Sequence, residues 1–295
     1  MQRNIACIVC GSARHTELYS STFDGSPEDA ADCFLANRKR VAHGRIVRCD
    51  NCGFVYTNPQ FTPAEYELIY GMAPSESDDS SDMQAARKSR FSRLARIVHR
   101  YVDPGPFLDF GCSKGDFLDV MNDERGLGFE LGAPGKRKSV DGHPIITGSL
   151  FELQSRESIS DEALSYVTAF DVFEHLPDLP VYIEHLRSLI KEGGHIVLTV
   201  PNLDSIVAKL TGRHWNMILL EHLWYFSPLT LKKLLEQHGF AHVWTSSMPY
   251  AASLTHVSNR FTQTYGLNPI SLPVWMGKLT LPVPVGLMVS VFRRC

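Results

Sequence analysis

An α/β fold with a mostly parallel sheet, joined to a small cysteine-bearing N-terminal unit, is predicted by three observations. From residue 106 onward short apolar runs alternate with helical segments, the pattern of strands linked by crossover helices. The first of those runs ends in an acid and a glycine turn. Ahead of them lie two matched Cys-x-x-Cys-Gly units, in a stretch poor in long periodic patterns.

The elements follow in order. Residues 1–60 hold five of the seven cysteines, four of them in the matched pairs, and form the expected N-terminal unit. Residues 61–105 read as a helical linker and lid. Within them Ser75 to Asp82 is a polar acidic run, expected to be a loop. Met83 to Val102 has helical spacing, with Phe91, Leu94, Ile97, Val98 and Tyr101 on one face, and Pro104-Gly105 stops it. Residues 106–295 form the expected main domain. Strands are predicted at residues 107–110, 127–130, 144–146, 166–170 and 195–200, with two more near 241–247 and 285–293. Helices are predicted over Val181 to Lys191, closed by Gly193-Gly194, and Pro228 to His238, closed by Gly239. The proline-bearing stretch at about residues 252–283 receives no assignment.

Composition narrows the function. Hydrophobic residues make up 44% of the 295 and charged residues 21%, enough for a sizeable core. The net charge of −3 offers no global attraction to nucleic acid, so a small-molecule partner is expected and no nucleic acid. The basic runs Arg38-Lys39-Arg40 and Lys136-Arg137-Lys138 read as solvated surface. No apolar run reaches the ~18 residues of a membrane span, and none opens the chain as a leader. Leu279 to Phe292 is apolar but contains Pro282 and Pro284, and reads as a buried strand. A cytoplasmic protein is therefore expected, in which metal-binding roles for cysteine outrank disulfides.

The most informative segment is Phe107-Leu108-Asp109-Phe110-Gly111-Cys112-Ser113-Lys114-Gly115. Glycine admits positive φ and close approach of a ligand to the backbone. Ligands of open α/β sheets bind outside the carboxyl ends of the strands. Glu130 ends the next apolar run, where a carboxylate can accept both hydroxyls of a ribose. The turn lacks the Gly-Lys-Ser/Thr ending of a triphosphate cradle.

This segment resembles the first motif of class I S-adenosylmethionine-dependent methyltransferases, Asp-x-Gly-x-Gly-x-Gly. Asp171-Val-Phe-Glu174-His175-Leu-Pro-Asp178 resembles the signature after the fourth strand of the small-molecule members. Gly193-Gly194-His195-Ile196 with Val200-Pro201-Asn202 resembles the fifth-strand motif, and Glu221 to Ser227 the segment that follows. The resemblance implies a Rossmann-like seven-stranded sheet with helices on both faces. It implies S-adenosyl-L-methionine as cofactor, with Asp109, Gly111, Cys112 and Gly115 around its methionine part and Glu130 on its ribose. Ser149 and Leu150 would lie near the adenine, and Ala169 and Phe170 would line the cofactor from the fourth strand. The chain departs from the family pattern in three places. Ser113 replaces the middle glycine, which calls for a negative φ there. Ser149 stands where an acid is usual. Gly132-Ala-Pro134-Gly135 requires the second helix to be short or late.

Cys7, Cys10, Cys49 and Cys52 supply the four soft ligands that tetrahedral zinc prefers, although the gap between the pairs exceeds the usual ~15–20 residues. Free buried thiols or a redox pair are the alternatives. Four thiolates fill the coordination shell, so the expected Zn2+ is structural. With Phe54 to Pro59 behind it, the unit resembles the zinc-binding extension of sugar- and antibiotic-modifying methyltransferases, where it helps close the substrate pocket. Cys33, Cys112 and Cys295 are read as bland thiols.

Methyl transfer needs alignment and removal of the acceptor's proton. Glu174-His175 and Glu221-His222 are the candidate pairs, and a packing role is the alternative for each. In related sugar carbon-methyltransferases with this extension, a Glu-His pair at the place of Glu221 and His222 acts as base. His222 is the favoured general base, with Glu221 and His175 beside it. Tyr56, Tyr66, Tyr70 and Tyr225, with Trp215 and Trp224, could line or cap a pocket but read first as core. The expected activity is methyl transfer to a carbon, oxygen or nitrogen of a small polar metabolite, a nucleotide-linked sugar or secondary-metabolite intermediate being the leading class. The competing readings are a nucleic-acid methyltransferase with a zinc reader and a non-catalytic zinc scaffold.

Overall fold

A computed structural model describes residues 2–34, 42–72, 81–132, 135–154, 159–253 and 280–295, with the single residues 258, 262, 268 and 273. Arg38-Lys39-Arg40, residues 75–80 of the acidic run, Pro134 and nearly all of 254–279 lie outside the described residues.

The strands are β1 (His15–Tyr19), β2 (Ile46–Cys49), β3 (Val55–Thr57), β4 (Phe107–Phe110), β5 (Gly126–Leu131), β6 (Gly135–Lys138), β7 (Pro144–Gly148), β8 (Leu164–Phe170), β9 (Ile190–Pro201), β10 (Trp224–Tyr225), β11 (Phe240–Ser253) and β12 (Thr280–Arg294). The helices are α1 (Pro27–Ala30), α2 (Pro63–Met72), α3 (Ser81–Tyr101), α4 (Asp116–Met121), α5 (Leu179–Leu189), α6 (Ile206–Thr211) and α7 (Pro228–Gln237). The large sheet has the order β11-β12-β9-β8-β4-β5-β7-β6. Its five central strands run parallel, and β12, β11 and β6 pair antiparallel at the two sides. β8 is buried at all seven positions, as a central parallel strand must be when helices cover both faces.

All seven expected strands are present, and β6 adds an eighth at the edge. β6 also corrects one expectation. Among the described residues β5 and β7 are joined by an antiparallel strand and turn, with no helix. The physical reason is local. Gly132 stands at φ 148°, a conformation closed to helix, and residues 135–138 then find unpaired backbone along β7.

Helix ends follow their sequence signals. Ser227 and Thr230 form a capping box in front of Pro228, and α7 buries Leu231, Leu234 and Leu235. α5 carries Leu179, Ile183, Leu186 and Leu189 inward at helical spacing. Each fully buried leucine or isoleucine contributes about 1.5–3 kcal/mol. α3 seats Leu94, Ala95 and Val98, with Val102 just past its end, on the face of the sheet bearing Phe107, Tyr166 and Val289.

The N-terminal strands build a second sheet, β1-β2-β3-β10, whose last strand comes from the far end of the chain. Trp224 pairs with Tyr56 and Tyr225 with Val55. Phe54, Tyr56, Trp224 and Phe226 pack ring on ring across this junction, at centroid distances of 5.5–6.4 Å. Arg3 bonds Asp178 at 2.6 Å, and Gln237 Nε2 donates to the Val9 carbonyl at 2.8 Å. The cysteine-bearing unit is thereby welded to the region that carries the Glu-His pairs. Among the described residues no helix is long and apolar enough to cross a membrane.

Candidate active site

β4 is the switch point of the large sheet, with β5 on one side and β8 on the other. A crevice opens where the connections diverge, outside the carboxyl ends of these strands. It is lined by Asp109, Gly111, Cys112, Ser113, Lys114 and Asp116 from β4 and its turn, Phe170 from β8, and Arg87 and Phe91 from α3. Gly111 has φ 76°, and a Cβ there would stand 2.4 Å from Val172 Cγ2. Gly115 caps α4 at φ 88°, with Ser139 2.6 Å from where its Cβ would be. Both glycines are required by conformation and by space.

Ser113 corrects a second expectation. Its φ is +48°, in the left-handed region. Two contacts hold it there. Its amide donates to Glu130 Oε2 at 2.5 Å, and its carbonyl accepts from Arg137. Arg137 is therefore more than a solvated charge, because β6 delivers it to the glycine turn. The Ser113 side chain is exposed, so Ser113→Gly loses no buried contact. Relief of about 1 kcal/mol of left-handed strain, less glycine's extra unfolded-state entropy, should leave the variant about 0.5 kcal/mol more stable in urea titration.

Asp109 is buried, and Thr168 Oγ1 donates to its Oδ1 at 2.7 Å across the β4–β8 register. Burial pushes its carboxyl up to about 7, and the charge of Glu130 adds to the rise, while the Thr168 bond opposes it. The folded value lies above the unfolded one near 3.8, so its stabilising contribution is complete below pH ~4 and is lost as pH rises through 7. Asp109→Asn keeps the acceptor for Thr168 and removes the titration. The ligand-free variant should lose the part of the wild type's stability decline between pH 4 and 7 that Asp109 causes. That difference, at most about 4 kcal/mol, is measurable by denaturant titration across that range. Burial also pushes the Glu130 carboxyl up, held back by the Ser113 amide and by Arg137.

Three residues past Phe170 a short 3-10 turn, Phe173–His175, carries the first of the Glu-His pairs. The rings of His175 and His222 meet edge to face, 4.7 Å between centroids. His222 Nδ1 donates to the Met217 carbonyl at 2.8 Å, and His175 Nδ1 to the Glu221 carbonyl at 3.1 Å. A ring nitrogen facing a carbonyl must carry the proton, so Nε2 is the basic nitrogen of each neutral ring. The backbone is pinned as well. The Leu223 amide donates to the Glu174 carbonyl at 2.7 Å, the Thr57 amide to the Leu223 carbonyl at 2.9 Å, and Thr57 Oγ1 to the His222 carbonyl at 3.0 Å. Glu174, Glu221 and His222 are all buried. Burial pushes the Glu174 carboxyl well up, and the neighbouring charge of Asp171 pushes it further. Asp171 itself is held at φ 58° by Thr199 Oγ1 at 2.6 Å and by Arg90 of α3 at 2.5 Å.

The four cysteines of the matched pairs converge, with one sulfur from each within 4.8 Å of the others and no disulfide. Cys7 Sγ lies 3.5 Å from Cys52 Sγ, and Cys10 Sγ 3.5 Å from Cys49 Sγ. Thiolates on tetrahedral zinc stand about 3.8 Å apart, so these donors fit that ion. Gly11 and Gly53, at φ 71° and 75°, close the two tight turns, whose amides return to the Cys7 and Cys49 carbonyls.

Of the residues expected around the cofactor, Asp109, Gly111, Cys112 and Phe170 line the crevice. Cys112 is thus more than a bland thiol. Gly115 and Glu130 shape it from behind, through the α4 cap and the Ser113 amide. Leu150 and Ala169 are fully buried, so only their backbone can face a ligand, and Ser149 is half-buried ahead of the 3-10 turn at Leu150. His175, Glu221 and His222 are brought together. Tyr56, Tyr66, Tyr225, Trp215 and Trp224 are core. Arg87 and Phe91, and the turn residues Lys114 and Asp116, were missed. Only the last two carried a signal, by lying on the glycine turn itself.

A parallel sheet flanked by an antiparallel pair, with an acid-glycine turn at its switch point, is the architecture that the resemblance to class I S-adenosylmethionine-dependent methyltransferases implies. A model of the methyltransferase domain matches residues 86–245, more than half of the chain, and the chain belongs to that family. An uncharacterized protein of Methanocaldococcus jannaschii is 25% identical over 122 residues, 40% of this chain and 47% of that protein, so the chain spans about half the length of this curated relative. Among solved structures, a SAM-dependent methyltransferase from Archaeoglobus fulgidus is similar at TM-score 0.45 and 20% identity, over 70% of this chain and 94% of that one. The 1,6-didemethyltoxoflavin-N1-methyltransferase of Burkholderia thailandensis, solved with S-adenosylhomocysteine, is similar at TM-score 0.46 and 13% identity, over 83% and 97% of the two chains.

Proposed function

We propose that the chain methylates a carbon, oxygen or nitrogen of a small polar metabolite, with a nucleotide-linked sugar or a secondary-metabolite intermediate as the leading class. One observation carries the reading: a crevice with a buried acid and glycine turn opens at the end of β8, and the 3-10 turn that follows β8 carries His175, half-buried, against the buried, tautomer-fixed His222. S-adenosylmethionine, when bound, supplies an electrophilic methyl group on a sulfonium. Asp109, Gly111, Cys112, Gly115 and Phe170 would hold its methionyl part, with Arg87 and Lys114 as the cations for its carboxylate. Glu130 would take the ribose, and the Ser149–Leu150 and Ala169 backbone the adenine side. His222 takes the acceptor's proton at Nε2, and His175 and Glu221 position it.

Residues 1–60 act as a zinc-stabilised unit, 61–105 as linker and lid, and 106–295 as the methyl-transfer domain. The ion on Cys7, Cys10, Cys49 and Cys52 is structural, because four thiolates leave no open position. A reducing cytoplasm is the compartment we infer, since a four-thiolate zinc site persists where disulfides do not form. Calorimetric titration with S-adenosylmethionine and S-adenosylhomocysteine tests the cofactor site, and a labelled-methyl panel of sugars, polar metabolites, RNA and DNA tests the acceptor class. Saturable binding of the cofactor with transfer to a small polar acceptor is expected. A folded, zinc-loaded chain that binds neither compound would end the reading, and transfer to nucleic acid alone would replace the acceptor class.

A further inference from the structure

We propose that Glu174, His175 and His222 form a second metal site, which takes a divalent transition-metal ion on two imidazole nitrogens and one carboxylate. One ligand atom from each of the three lies within 4.8 Å of the others. Donors around a bound ion stand about 3.4 Å apart, a separation that side-chain torsion can reach from there.

Glu174 supplies the second, independent observation. It is 1% exposed, and its Oε2 is buried with no hydrogen-bond partner. An unsatisfied carboxyl oxygen in the interior is destabilising, and a bound cation satisfies it. The histidines are arranged as ligands are. Each donates Nδ1–H to a backbone carbonyl, of Glu221 and of Met217, which fixes the ring and turns Nε2 into the donor. The Leu223–Glu174 backbone bond clamps the two ligand-bearing segments together. Two nitrogens and one oxygen suit cobalt, nickel, zinc or ferrous iron and not magnesium or calcium, and three protein ligands leave a position open. The four thiolates stand on the other segment of the fold and make a closed, sulfur-only set, so the two sites select ions differently.

The consequence for turnover rests on the proposed role of His222. An ion on His222 Nε2 occupies the lone pair that would take the acceptor's proton, so metal occupancy and the base function exclude one another.

The test uses the full chain with its thiolate site zinc-loaded, titrated with Co2+. A second ion should bind with weak visible bands that lack sulfur-to-metal charge transfer. Glu174→Gln and His175→Gln, each shown to be folded by its thermal melt, should weaken that binding at least about tenfold. In the wild type, cobalt-shifted N–H proton signals from two imidazoles should appear. An absence of shifted imidazole signals, or cobalt affinity unchanged in both variants, would overturn the site. Affinity for S-adenosylmethionine, measured on the same samples, reports the methyl-transfer reading separately. Cobalt-independent cofactor binding without a second ion sinks the metal site alone. Turnover that rises with the second ion confirms the site and removes His222 as base.

Discussion

Cys49→Ser should lower the midpoint of thermal unfolding by about 6–12 °C and release the zinc proposed for the four-thiolate site. The size follows from what that residue holds. Zinc on four thiolates contributes on the order of 10 kcal/mol to folding, and losing one ligand forfeits at least about 3 kcal/mol of it. For a chain of this size each kcal/mol shifts the midpoint by about 2–4 °C. Cys49 ends β2, the central partner of β1 and β3, and is itself buried. Its loss loosens β3, and β3 pairs with β10. The Thr57 contacts to Leu223 and His222 hang from the same strand. Catalysis should therefore fall more steeply than cofactor affinity, since the crevice around Asp109 is built from other strands. Cys295→Ser, at an exposed thiol outside the cluster, serves as the control and should change neither property. Metal content by mass spectrometry, differential scanning calorimetry and cofactor titration on the two variants decide the matter. A Cys49→Ser protein with full zinc content and an unshifted melt would mean that the thiols are not ligands.

The same long-range pairing explains what the sequence disclosed and what it hid. Strands β4 and β8 were legible because a buried parallel strand is a continuous apolar run and needs no partner to be recognised. The thiolate cluster was legible because two short spacings encode its geometry locally. β10 was not. It is two residues long and exists only because β3, more than 160 positions earlier, presents an open edge. β6 hid behind a Lys-Arg-Lys run that reads as surface, and its function became visible only when Arg137 met the Ser113 carbonyl. In the site, the β4 turn announced Asp109 and Gly111. The opposing wall, Arg87 and Phe91, depends on how α3 lies across the sheet, and helix periodicity carries no information about that angle. The Glu-His dipeptides were visible as chemistry. Their meeting edge to face was not, because it requires the 3-10 turn after β8 and the loop before β10 to arrive at one place.

His222→Gln should reduce turnover by about 10²–10⁴-fold while leaving cofactor affinity unchanged within about twofold. Glutamine suits the test better than alanine. His222 is buried, and its Nδ1–H satisfies the Met217 carbonyl at 2.8 Å. Truncation would strand that acceptor at a cost of about 1–3 kcal/mol, whereas the glutamine amide can still donate. A base at this position also leaves a kinetic mark that a packing residue does not. At saturating cofactor, the wild-type kcat should fall on the acid side of its pH profile, and the residual rate of the variant should lack that limb. Saturation matters because burial pushes the Asp109 carboxyl up to about 7 in the ligand-free crevice, which would otherwise bend kcat/KM through cofactor binding. His175→Gln supplies the comparison. Its ring meets His222 edge to face but bonds the Glu221 carbonyl, so as a positioning residue it should lower kcat less and keep the acid limb. Should His222→Gln turn over at the wild-type rate, the histidine pair is packing, and the acceptor's proton must leave by another group.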